Sequence, residues 1–217
     1  MNIEKIKNFI KNIKKETWIR IIIYVSIVIF GFILDRITKN IASSKLILGE
    51  LKQVEIIPNL IYFSYVTNKG GAWSILSNAT WLLTIFSAVS VGAISYYMFK
   101  SKINIFYFVS CSMFIAGGLG NLYDRIVYGY VIDFIETYPF GYAFPIFNVA
   151  DMFVVIAAII MAVYMLFEEK KEKEKSRTKI LTEEEITGVT KNENPIDDNQ
   201  NLNSINDKDD NDGRNVN

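Results

Sequence analysis

The sequence predicts an all-α integral membrane fold: four transmembrane helices with a small extracytoplasmic β-rich segment between the first and second. Just over half of the 217 residues are hydrophobic (51%), and the mean hydropathy is positive, +0.22. The apolar residues gather in four segments, about 18–40, 81–99, 103–123 and 147–167, each close to the roughly 20 residues an α-helix needs to cross a bilayer. Basic residues, in turn, concentrate in alternate connections.

The first segment follows a basic stretch in which Ile3, Ile6, Ile10 and Ile13 recur at helical spacing among lysines. Residues 1–17 therefore read as a cytoplasmic basic amphipathic leader. The apolar run is longer than a cleavable signal core and ends in a charged Asp-Arg-x-x-Lys cluster, so it is expected to be kept as a membrane helix. The next stretch, Gln53 to Thr67, is rich in Val, Ile, Tyr and Phe. Pro58-Asn59 interrupts it and Asn68-Lys69-Gly70-Gly71 closes it, the pattern of short strands and a turn. Its tyrosines and Trp73 suit a membrane interface. The second and third segments carry no charge. Residues 18–167 form the membrane domain. From 168 to 217 a charged run passes into an Asn/Asp-rich tail that is expected to be cytoplasmic and mostly disordered.

Lys and Arg crowd the N-terminal stretch, the link at Lys100 and Lys102, and the residues after the fourth segment. By the positive-inside rule these face the cytoplasm, and both termini lie inside. Helices one and three then run outward and helix four inward. Asp35 and Lys39, Asn121, Asp124 and Arg125, and Asn148 and Asp151 all fall near the outer leaflet, with Asp133 in the adjoining connection. Ionisable groups at membrane depth are costly and by default functional.

The chemistry narrows by elimination. There is no histidine, which removes His-based triads and His-ligated zinc. The lone Cys111 lies in an apolar stretch and reads as packing. No phosphate-binding loop is present, and Gly117-Gly118-Leu119-Gly120 reads as close helix packing. No metal or cofactor and no nucleic-acid partner is expected. Carboxylates remain, and two of them sharing a proton can activate water and polarise an amide carbonyl. Chemistry alone does not choose the pair among Asp35, Asp124, Asp133 and Asp151. Asp124 reads as structural, in an ion pair with neighbouring Arg125, and Asp35 with Lys39 suits a helix-end pair.

Asp35-Arg36-Ile37-Thr38-Lys39, Asn68-Lys69-Gly70-Gly71-Ala72-Trp73-Ser74, Gly117 to Arg125, Val131-Ile132-Asp133-Phe134 and Phe147-Asn148-Val149-Ala150-Asp151 stand in order over residues 18–167. This succession resembles the motifs of lipoprotein signal peptidase, or signal peptidase II. Gly71 stands where that family often has Ala, and the long tail has no counterpart there. The resemblance implies a membrane aspartyl endopeptidase of the bacterial cytoplasmic membrane. Such an enzyme removes signal peptides from prolipoproteins, cutting before a diacylglyceryl-modified cysteine. It further implies Asp133 and Asp151 as the catalytic dyad, with Asn121, Arg125 and Asn148 holding substrate or a globomycin-type inhibitor and Asp35, Lys39 and Asn68 in support. Membrane lipid and lipidated substrate are the expected partners, and aromatics at 60–73 and 138–147 are expected to supply a lid. A small ion or solute transporter is the alternative, but it predicts polar residues spread through the membrane rather than collected at one end. An intramembrane protease of the presenilin or prepilin type lacks its Gly-x-Gly-Asp element here, because Asn121 occupies the Asp position.

Overall fold

The computed structural model describes residues 14–70 and 79–187, with side chains through residue 183. Ile3 to Ile13 of the leader, Trp73 and the tail from residue 188 lie outside the described residues. The element order is α1 (Lys15–Lys45), β1 (Val54–Ile57), β2 (Ile61–Asn68), α2 (Thr80–Lys100), α3 (Ile105–Val127), β3 (Val131–Thr137) and α4 (Val149–Thr187). All four helices are long and apolar enough to cross a membrane.

Within the bundle the chain packs unlike a water-soluble core. Lipid tails are as apolar as leucine, so helix association relies on close packing and interior polar bonds rather than on hiding apolar surface. Accordingly α2 is charge-free until Lys100 and buries only Met98, which joins Phe108 and Ile115 of α3 in the apolar core. Elsewhere small residues let backbones meet. A Cβ on Gly31 of α1 would stand 2.9 Å from the Ala116 Cβ, and one on Gly117 would stand 2.3 Å from the Ala150 carbonyl oxygen of α4. The glycines of 117–120 are thus packing residues.

The β-rich segment is a three-stranded antiparallel sheet in the order β1-β2-β3. β1 and β2 form a hairpin through Pro58 and Asn59, where Asn59 takes φ +57° and the Leu60 N–H closes on the Ile57 carbonyl at 3.0 Å. Proline followed by a left-handed Asn is the order a type II turn requires. The third strand comes from the connection between α3 and α4, so the α1–α2 and α3–α4 connections fold into one sheet. Val66 pairs with Asp133 and Asn68 with Val131. Beneath the sheet, buried Glu136 accepts from the Lys52 N–H at 2.8 Å and from the hydroxyls of Ser64 and Tyr138. Burial alone would raise Glu136, but these bonds together hold it below its ordinary value.

The charged run from residue 168 is helical as far as Thr187, where α4 ends, and one expectation, on Tyr62, changes. Glu, Lys and Arg are good helix formers, and pairs such as Lys179–Glu183 at 3.8 Å add modest support. The part of this helix from Lys170 belongs to a second compact unit. Tyr62, expected in a lid, is buried: its hydroxyl donates to Glu55 at 3.0 Å, and its ring meets Tyr138 edge-on at 5.8 Å. By contrast Phe140 is 99% exposed.

Gly117→Ala should therefore lower the unfolding temperature in detergent, because the obstacle is backbone. Gly92→Ala, which meets nothing within 4 Å, should be neutral or stabilising by about 0.5–1 kcal/mol through helix propensity. Equal thermal shifts in the two variants would contradict this packing.

Candidate active site

The polar layer begins with charges that helix geometry brings together. Asp35 and Lys39 are one turn apart in α1, and the Lys39 ammonium lies 3.1 Å from Asp35. It also lies 2.8 Å from Asp124 of α3 and donates to Asn121 Oδ1 at 3.0 Å. Lys39 has no solvent exposure at all. Arg36 closes the cluster, reaching Asp35 at 2.6 Å and Asp124 at 2.5 Å and donating to the Gly120 carbonyl at 3.1 Å. Its guanidinium lies 4.6 Å from the Tyr123 ring centroid. Asp124 therefore pairs with two cations of α1 and not with Arg125, because adjacent residues on a helix point to different faces.

From this cluster both carboxylate-bearing elements are held. Asp35 accepts from the Ala150 N–H at 3.1 Å, one of the donors at the start of α4 that have no partner inside the helix. Asp124 accepts from the Ile132 N–H of β3 at 3.2 Å. Between them Phe147 forms an antiparallel bridge with Ile135, donating to its carbonyl at 3.1 Å and accepting its N–H at 2.8 Å. The residue before the helix is thus tied to the strand.

Asn148 then starts α4 in a capping box. Its side-chain oxygen accepts from the Asp151 N–H at 3.0 Å, while Asp151 accepts from the Asn148 N–H at 3.1 Å. The Asn148 amide donates to Asp133 at 2.6 Å and to Asn121 at 3.1 Å. Asn121 donates to Asp151 at 2.7 Å, and Asn68 donates to Asp133 at 2.9 Å. One continuous network therefore contains Asp35, Lys39, Asn68, Asn121, Asp133, Asn148 and Asp151. Arg36 is the member that sequence reasoning left without a role, although it lies inside a quoted motif.

Asp133, Asp151, Asn68, Asn121 and Arg125 line one cavity of about 580 Å³, and the rest of its wall is apolar, including Phe144, Val155 and Ile156. Arg125 faces this cavity without a hydrogen bond to any described residue. Asp133 is 2% exposed. Burial first, and the charge of Asp151 second, push its carboxyl up from 3.8 to about 7, against the pull of the Asn68 and Asn148 bonds. Near pH 7 Asp133 is thus about half protonated, beside a second carboxylate. Such an arrangement suits hydrolysis of a polar bond delivered from an apolar phase.

Carboxylate hydrolysis within a multi-pass membrane protein is the chemistry of aspartic-type membrane proteases, and the chain falls in that class. Residues 27–167 match the family model described as Signal peptidase (SPase) II. The chain is 42% identical to the lipoprotein signal peptidase of Clostridium novyi (strain NT) over 148 residues, which are 67% of this chain and 99% of that protein. With the lipoprotein signal peptidase of Staphylococcus aureus (strain JH9) it shares 37% identity over 150 residues, 69% of this chain and 91% of that one. A bacterial membrane enzyme solved by the in meso method at 2.3 Å resolution aligns with a TM-score of 0.64 at 36% identity, covering 70% of this chain and 92% of that chain. The chain belongs to the signal peptidase II family.

Two outcomes follow from the network. Lys39→Met leaves Asp35 and Asp124 buried with one cation between them and should cost about 3–5 kcal/mol, measured as detergent-solubilised unfolding. Asp133 holds a proton in the folded state that the unfolded chain releases near 3.8. Its contribution is full below that pH and is lost as pH rises to about 7. The unfolding temperature of Asp133→Asn should accordingly fall less than that of the unsubstituted protein between those limits.

Proposed function

We propose that the protein removes signal peptides from prolipoproteins, cutting before a diacylglyceryl-modified cysteine, with Asp133 and Asp151 as the catalytic pair. The observation that carries this reading is their convergence on one cavity, joined through Asn148 and Asn121. The ionised member of the pair takes a proton from water as the water oxygen attacks the scissile carbonyl. The protonated member passes its proton to the carbonyl oxygen, giving a neutral geminal diol. Collapse breaks the C–N bond, with a proton passing to the leaving amine of cysteine. The titration belongs to the pair, so no individual acid or base is assigned.

Asn121 and Asn148 orient the pair, while Arg125 holds substrate backbone or a globomycin-type inhibitor in the cavity. Asp35, Lys39 and Asn68 support that geometry. The apolar wall supports a lipidated substrate, whose acyl chains reach the cavity from the membrane along α4. In this reading both termini and the charged tail are cytoplasmic, and the polar layer lies near the outer leaflet of the bacterial cytoplasmic membrane.

Asp133→Asn and Asp151→Asn should each lower kcat for a diacylglyceryl prolipoprotein by at least about a hundredfold, with the protein still folded and inserted. Wild-type cleavage in either variant would remove that residue from the pair. Globomycin should inhibit the unsubstituted protein. Because cleavage needs one proton on the pair, kcat/KM should fall as pH rises past about 7 and also fall in acid, where both carboxyls are protonated. A profile flat through neutrality would contradict a shared proton.

A further inference from the structure

At the end of the bundle remote from Asp133 and Asp151 lies a second cavity of about 1190 Å³. The first turns of α1 and α3, the α2–α3 link and the Tyr164–Glu168 stretch of α4 enclose it. We propose that it binds the headgroup of an anionic phospholipid, the phosphate between Lys14 and Lys102.

The charges favour an anion. Lys14, Arg20, Lys100 and Lys102 line the cavity against Glu16 and Glu168. Arg20 is already engaged, donating to the Ile103 carbonyl at 2.7 Å and lying 5.2 Å from the Phe108 ring centroid. Lys100 donates to the Tyr96 hydroxyl at 2.7 Å, and Glu168 accepts from Tyr164 at 2.5 Å. Lys14 and Lys102 are exposed and make no side-chain hydrogen bond or ion pair with any described residue. With Glu16 as the one lining carboxylate left uncommitted, the mouth stays cationic.

The shape favours a lipid over a free anion. Below the lysines the wall turns apolar through Ile103, Cys111 and Met161, as a glycerol backbone and the start of its acyl chains require. Tyr97, Tyr107 and Tyr164 also line the cavity, and amphipathic rings of this kind prefer the headgroup region. Basic side chains here face the leaflet that carries anionic lipid, each strengthening the attraction about fivefold. This inference does not depend on the peptidase reading.

The test is native mass spectrometry of the full-length protein in detergent, with phosphatidylglycerol and phosphatidylethanolamine of matched chains. One phosphatidylglycerol should stay bound under activation that strips the other lipid. Lys14→Gln/Lys102→Gln should weaken its retention about 30-fold. Lys171→Gln/Lys175→Gln, which removes equal charge outside the cavity, should leave retention within about twofold, with unfolding temperatures reporting that both variants fold. Equal retention of the two lipids overturns the proposal without recourse to any variant. Equal loss in the two double variants also overturns it, since the attraction would then be diffuse. Displacement of the bound lipid by millimolar glycerol 3-phosphate assigns the cavity to a free anion and overturns it as well.

Discussion

The buried ion cluster of Asp35, Arg36, Lys39 and Asp124 is the constraint on which the rest of the polar layer depends. Two carboxylates and two cations at this depth are tolerable only together, because an unpaired buried charge costs several kcal/mol. Their mutual satisfaction fixes α1 against α3. The remaining carboxylate oxygens then reach outward, Asp35 to the first turn of α4 and Asp124 to β3. A fully charged structural group therefore sets the positions of two further acids it does not touch.

Those two acids receive different environments from the elements that carry them. Asp151 sits at the third position of a helix, in a capping box, where the Asn148 N–H, the Asn121 amide and the helix dipole favour negative charge against the opposing effect of burial. Asp133 sits on a strand among side-chain amides, where burial opposes its charge. The asymmetry that lets one proton serve a carboxylate pair thus arises from secondary structure. Two acids on equivalent helical positions would lack it.

Much of this was legible in the sequence because a bilayer makes hydropathy and charge placement explicit. The four spans and the gathering of Asp35, Lys39, Asn121, Asn148 and Asp151 at one end followed from segment length and direction alone. Two features were not legible, each for a physical reason. β3 is a short strand whose partner lies more than sixty residues earlier, across two helices, so Val131 to Thr137 carries no local sign of the sheet it completes. The partners of Asp124 come from another helix, and chain adjacency wrongly suggested Arg125.

The charge balance of the layer has a consequence for what the cavity can hold. Asp35, Asp124, Asp133 and Asp151 contribute four negative charges, and Arg36, Lys39 and Arg125 three positive ones, so one proton on the pair makes the set neutral. Ligands that keep the set neutral, such as an uncharged amide or its hydrate, enter without disturbing it. A carboxylate delivered to the same place upsets the balance in a medium that screens poorly. The acid end of a cleaved peptide is such a group, so under the proposed chemistry the same charge arithmetic favours an amide over its product acid.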